Sequence, residues 1–275
     1  MKFRPIGVCW PITSRCNYDC PFCYADKFTK ELELKERLKI IDILADNGIK
    51  FINFTGGEPM LVKHFDRMII HAKNRGIFTD ICTNASLITS DFVEAVKYHL
   101  DQISFPIDGS TDDIQRKVRG RKNHLYFFKK AIDLISPTKI KLKINTLVCK
   151  ANKDDLNAIY QILLTIPRIR RWKLIRYYPV NRFDKRYVLS SFQFRRITNK
   201  ILQITSPFEI VPKYQADGYQ SSFIIINPNG NVLVTHKNNR HSLGNVLTDD
   251  FKHILDKAHK LNKEGHMVKY QEFMD

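Results

Sequence analysis

Between residues 6 and 178 strand-like and helix-like segments alternate without a break, and this alternation constrains the fold more than any other feature of the chain. Short apolar runs at 6–11, 51–54, 78–82, 102–106, 139–148 and 171–178 are predicted as strands. Helical spacing at 33–47, 65–75, 90–100, 125–135 and 154–165 separates them, and the first helix runs through Leu34, Leu38, Ile41 and Leu44 to a C-terminal Gly48. Strands alternating with helices require right-handed crossovers and a mostly parallel sheet, so the fold class is α/β, with a partial (β/α)6-type barrel as its natural form. Ligands in such folds lie beyond the C-terminal ends of the strands. From about residue 187 the pattern changes to a helix at 191–204 and a hairpin at 223–234 turning at Asn229-Gly230. The division expected is a barrel core over 1–186 and a small α+β cap over 187–275 that covers the substrate.

A chain of 275 residues that is 43% hydrophobic can bury a substantial core. No secretory signal opens it and no apolar stretch is long enough for a bilayer, so a cytoplasmic protein with no membrane partner is expected. In that compartment thiols stay reduced and clustered cysteines bind metal more often than they form disulfides. Basic residues exceed acidic ones by 45 − 28 = 17, which favours a nucleotide or another phosphate-bearing partner, such as RNA, or an acidic peptide. The same excess also suits a solvated, Lys-rich surface. Arg116, Lys117, Arg119, Arg121 and Lys122 concentrate the charge in what reads as a loop after the fourth strand.

Cys16, Cys20 and Cys23 fall in one loop directly after the first strand and can aim three thiolates at one place. Iron-sulfur clusters usually take four such ligands, and three leave one iron open for chemistry. Cys20-x-x-Cys23 alone also matches half of a zinc knuckle. Cys9, Cys82 and Cys149 stand singly and read as buried thiols. One βα unit later comes Thr55-Gly56-Gly57-Glu58-Pro59, whose glycines allow close backbone approach and whose carbonyls and carboxylate suit an ammonium group. Polar residues end the next two strands at Thr83-Asn84-Ala85-Ser86 and at Ser104 with Asp108, positions that also suit helix caps. Lys143 and Asn145 alternate with Leu142 and Ile144, so both point to one side of their strand; inside a barrel they need polar partners, and a triphosphate would supply them.

The C-x3-C-x2-C spacing followed by GGEP resembles the radical S-adenosylmethionine (SAM) superfamily over residues 6–178. That resemblance implies a [4Fe-4S] cluster on Cys16, Cys20 and Cys23, with SAM on the open iron. An external electron donor of flavodoxin or ferredoxin type would drive cleavage of SAM to methionine and a 5′-deoxyadenosyl radical. It further implies SAM contacts from Gly56, Gly57, Glu58, Pro59, Asn84, Ser86 and Ser104. Within the superfamily the chain is most similar to the viperin-like nucleotide dehydratases, through Cys16-Asn17-Tyr18-Asp19-Cys20, Ile52-Asn53-Phe54, Lys122-Asn123-His124, Lys143-Ile144-Asn145, Arg171-Trp172-Lys173 and Ser222-Phe223-Ile224-Ile225. This implies dehydration of a ribonucleoside triphosphate to a 3′-deoxy-3′,4′-didehydro product, with Lys143, Asn145 and Lys173 on the nucleotide. The tyrosine expected as hydrogen donor falls at Phe223, leaving Tyr219 as a substitute. Residues 223–245 contain no cysteine, which argues against a second cluster. Two other readings are a radical SAM enzyme acting on a peptide or RNA, and a non-enzymatic zinc module that binds nucleic acid.

Overall fold

The computed structural model describes residues 7–23, 31–177, 185–213, 224–236 and 239–262. In chain order the elements are β1 (Gly7–Pro11), α1 (Leu34–Asp46), β2 (Phe51–Thr55), α2 (Phe65–Asn74), β3 (Phe78–Cys82), α3 (Ser90–Val96), β4 (Gln102–Pro106), α4 (Asp112–Arg119), α5 (His124–Ile135), β5 (Lys141–Val148), α6 (Leu156–Leu164), β6 (Ile169–Arg176), α7 (Ser191–Leu202), β7 (Glu209–Lys213), β8 (Ile224–Ile226), β9 (Asn231–His236), β10 (Asn239–Asn245) and α8 (Phe251–Asn262). The ten strands among the described residues join one sheet, in the order β10-β9-β8-β1-β2-β3-β4-β5-β6-β7. From β1 to β7 neighbours are parallel and follow sequence order, so right-handed crossovers put every intervening helix on the same face. Among the described residues no ladder joins β7 to β10, and the sheet is open rather than a closed barrel.

The hairpin at Gly230 is present as antiparallel β8 and β9. Its first strand pairs in parallel with β1, and β7 pairs with β6, so the C-terminal strands lengthen the core sheet at both flanks. The basic segment expected as a loop is largely helical: Thr111 caps α4 by accepting from the Ile114 N–H, and Gly120 closes it in the left-handed region at φ 72°.

The two faces of the sheet differ in chemistry. Ile52, Phe54, Ile81, Phe105, Ile144 and Trp172 are buried in a single core with Ile41, Met68, Phe128 and Ile159 from the helices. Sheets of parallel strands buried on both sides normally read as unbroken apolar runs. Here the alternate residues are polar. Register sets Cys9, Asn53 and Asp80 in one row, Cys82, Ser104, Lys143 and Arg171 in the next, and Asn145 beside Lys173. The polar residues thus line the face opposite the helices.

Candidate active site

The cysteine loop is fastened to the end of β2. The β1–β2 ladder runs on past both strands, with Ile12 N–H donating to Thr55 O at 2.9 Å, Gly57 N–H to Thr13 O at 2.8 Å and Glu58 N–H to Arg15 O at 2.8 Å. A Cβ on Gly56 would stand 2.3 Å from Thr13 O, and one on Gly57 2.1 Å from Arg15 O. The close approach that these glycines permit is thus the chain's own, between the GGEP segment and the run leading into Cys16. Glu58, whose carboxylate was expected to suit an ammonium group, is likewise engaged within the chain. It is 0% exposed, and it accepts from Thr83 Oγ1 at 2.7 Å, Asn84 N–H at 2.7 Å and Met60 N–H at 3.1 Å. Burial pushes its pKa up, while those three hydrogen bonds oppose the rise. Its role in the free chain is to tie the end of β2 to the end of β3, and Pro59 opens the short 3-10 turn that follows.

Side chains of the segment after β3, together with His124 of α5, hold the loop from the other side. Asn17 Nδ2 donates to Ser86 Oγ at 2.8 Å, Ser86 Oγ donates to Asn84 Oδ1 at 2.6 Å, and Asn84 Nδ2 donates back to Asn17 Oδ1 at 2.8 Å, closing a ring of three side chains. Tyr18 OH lies 3.3 Å from His124 Nδ1, and His124 Nε2 lies 2.9 Å from Pro106 O. A carbonyl only accepts, so Nε2 carries the imidazole proton and Nδ1 accepts from the tyrosine. Burial, helped by the charge of Arg119, pushes the His124 pKa down to about 4, so the ring is neutral. Arg121 lies 5.2 Å from the centre of the Tyr18 ring and Arg119 5.2 Å from that of Phe22. Arg119 also pairs with fully buried Asp108 at 2.5 Å, whose other oxygen accepts from Leu147 N–H at 2.7 Å. Asp108 therefore serves the framework rather than an open ligand site.

The sulfur atoms form an electrostatically coupled group. Cys16 and Cys20 are half-buried and Cys23 is exposed. Burial pushes the Cys20 thiol up to about 11, against the opposing charge of Arg119, and neighbouring Cys23 and Cys16 raise it further. Burial likewise raises Cys16, although Tyr18 N–H donates to its sulfur at 3.4 Å. Three thiolates crowded this way need a cationic centre, and N–H bonds to sulfur are what iron-sulfur ligands receive. Among the described residues no three His, Cys, Asp or Glu side chains stand as common ligands of a single metal ion. A cubane takes one thiolate at each of three irons, so its ligands face it from separate corners. The donor set fits such a cluster.

Lys143 points to the polar face as the strand alternation required, but its partner is internal. Its ammonium donates to Asp80 Oδ2 at 2.6 Å, and both side chains are almost fully buried. Ser104, expected at the SAM site, lies in this same network and donates to Asp80 Oδ1 at 3.2 Å. Lys173 is buried too; burial, reinforced by Lys143 and Lys213, pushes its pKa down to about 7. Cys149 is buried, whereas Cys9 and Cys82 are only half-buried and face this polar interior, where burial still pushes Cys9 up to about 12. Tyr219 and Phe223 lie outside the described residues. Asn17, Asp80, Arg119 and the pair Tyr18–His124 had no assigned part from the sequence; the Asn17-Tyr18 and Asn123-His124 pieces of the resemblance were the available signal.

A protein-family model described as the radical SAM superfamily matches residues 10–163. The chain belongs to the radical SAM superfamily. It is therefore an enzyme whose cofactors are a [4Fe-4S] cluster and SAM. The chain is 28% identical to a protein of Flammeovirga pacifica named S-adenosylmethionine-dependent nucleotide dehydratase, over 94% of this chain and 90% of that one. A protein of the same name from Lacinutrix mariniflava is 29% identical over 78% of this chain, which spans only 47% of that relative's length. Among solved structures, Streptococcus suis SuiB bound to S-adenosylmethionine superposes with a TM-score of 0.74 at 18% identity, over 93% of this chain and 66% of that one. That likeness concerns the fold alone. Among the described residues no helix is long and apolar enough to cross a membrane.

Proposed function

We propose that this radical SAM enzyme acts on a nucleotide, a ribonucleoside triphosphate dehydrated to its 3′-deoxy-3′,4′-didehydro form. The observation that carries this reading is the near end-to-end match to the Flammeovirga pacifica nucleotide dehydratase. The polar face supports it, since Asn145 and Lys173 are register neighbours there and suit a phosphate-bearing ligand, with Lys143, ion-paired to Asp80, on the same side of β5. Cys16, Cys20 and Cys23 hold the cluster, while Gly56, Gly57, Glu58, Pro59, Asn84 and Ser86 build the rim at which SAM binds, with Ser104 beneath them. When bound, these cofactors supply a 5′-deoxyadenosyl radical that removes a hydrogen atom from the substrate. The chain's part is to orient the ribose and exclude solvent, and Tyr219 is the proposed hydrogen donor. A flavodoxin or ferredoxin supplies the electron. The test is SAM cleavage by anaerobically reconstituted, reduced protein against a panel of nucleotides. One ribonucleotide should accelerate cleavage and yield a product lighter by one water, and a panel without any response defeats the reading.

A further inference from the structure

We propose that Asn53 is a specificity-determining residue, its side-chain carbonyl accepting a hydrogen bond from a hydroxyl group of the substrate. The proposal rests on the nucleotide reading and deepens it, because it concerns the sugar rather than the phosphates.

Asn53 sits in the middle of β2 on the polar face, in the row it shares with Cys9 and Asp80. Its Nδ2 donates to Asp80 Oδ2 at 3.3 Å and reaches Cys82 Sγ at 3.6 Å. The reversed amide would set Oδ1 against a carboxylate, acceptor against acceptor, so Asp80 fixes which way the amide points. Asp80 is itself held by Lys143 at 2.6 Å and Ser104 at 3.2 Å. Asn53 Oδ1 is consequently turned away from this network, and it is buried without a hydrogen-bond partner among the described residues. Asn145 Oδ1 on β5 is in the same condition.

A buried acceptor without a donor is unfavourable in the free protein, and a ligand that brings a donor relieves the deficit. Phosphate oxygens are acceptors and cannot do so. Hydroxyl groups can. The interior therefore sorts a substrate by chemistry, with the ammonium of Lys173 suited to its phosphates and Asn53 Oδ1 to its hydroxyls. Asp80 is the positioning residue for this contact, since it touches no substrate and sets the amide's orientation.

The experiment measures dissociation constants for the holoenzyme, loaded with cluster and SAM. The probes are the four ribonucleoside triphosphates, their 2′-deoxy and 3′-deoxy forms, and inorganic tripolyphosphate. Wild-type protein should bind a ribonucleotide about tenfold tighter than one of its deoxy forms, the size of effect expected for one hydrogen bond to a well-fixed acceptor. Asn53→Ala should bring that ratio close to one while changing tripolyphosphate affinity by less than about twofold. Asn53→Ser also withdraws the carbonyl and should behave alike, which covers loss of fold in the alanine variant. Equal binding of ribo and deoxy forms by wild type, or a full ratio retained in the variants, overturns this proposal and leaves the nucleotide reading standing. Absence of any nucleotide binding to wild type overturns both.

Discussion

Gly57→Ala tests how the cysteine loop is held. Gly57 adopts no left-handed backbone angle, so alanine meets no conformational penalty there. The cost is steric alone: the new methyl would stand 2.1 Å from Arg15 O, 2.6 Å from Arg15 C and 3.0 Å from Ser14 O, all of them backbone atoms that cannot rotate aside. Relief requires the run before Cys16 to move off the end of β2, which breaks the bonds from Gly57 N–H to Thr13 O and from Glu58 N–H to Arg15 O. Overpacking costs about 1–3 kcal/mol and each lost hydrogen bond about 1 kcal/mol, giving roughly 3–5 kcal/mol in all. Gly76→Ala is the control, for at φ 74° with nothing within 4 Å it meets backbone strain and no clash. That strain is worth about 1–2 kcal/mol. Urea unfolding of the two variants beside wild type gives both values, and iron content after reconstitution reports whether the loop still takes its cluster. A Gly57→Ala protein no less stable than Gly76→Ala refutes the zipped-loop geometry.

Further outcomes follow from the charges. His124 is fully buried with a pKa lowered from 6.5 to about 4, so the unfolded chain takes up a proton that the fold refuses. Its stabilising contribution is complete above pH 6.5 and declines as pH falls toward 4; about 2 kcal/mol should vanish between pH 7.5 and 5, and a His124→Gln protein with an unchanged pH slope would contradict this. Lys173, pushed down to about 7, loses its charge as pH rises through that value. Tripolyphosphate affinity should fall about tenfold from pH 6 to 8, and Lys173→Arg should flatten the profile in isothermal titration because guanidinium stays charged. Cys20→Ala should abolish cluster assembly and SAM cleavage together; activity retained in that protein removes the basis for the proposed ligand set.

The core of the fold was legible because β1 to β6 carry short apolar runs separated by segments of helical spacing, and the first of those helices closes at Gly48, at φ 80°. What escaped reading lacks that signal. Within α4 the buried residues are only Gln115 and Val118, so its charges read as a loop. In β7, at the sheet edge, the burial of every residue is partial or nil and Pro212 interrupts the run. The C-terminal α8 was likewise not foreseen, its apolar residues being spread among lysines and histidines. For the site, loop spacing revealed the three cysteines, and alternation set Lys143 and Asn145 on one side. The partners of these groups were hidden, because register rather than spacing decides them: Asp80 meets Lys143 across 63 residues of chain, and Tyr18 meets His124 across 106.

The division of labour between the sheet's two faces has a consequence for how such a protein can change. On β2 and β5 the odd-numbered Asn53, Lys143 and Asn145 line the polar face, while their even-numbered neighbours Ile52, Phe54, Leu142 and Ile144 carry the helices. Recognition and stability are thus written in alternate letters of the same strands. A substitution that retunes what the enzyme accepts leaves the packing that keeps it folded largely unaltered, so one scaffold can be redirected to a new substrate without first being rebuilt.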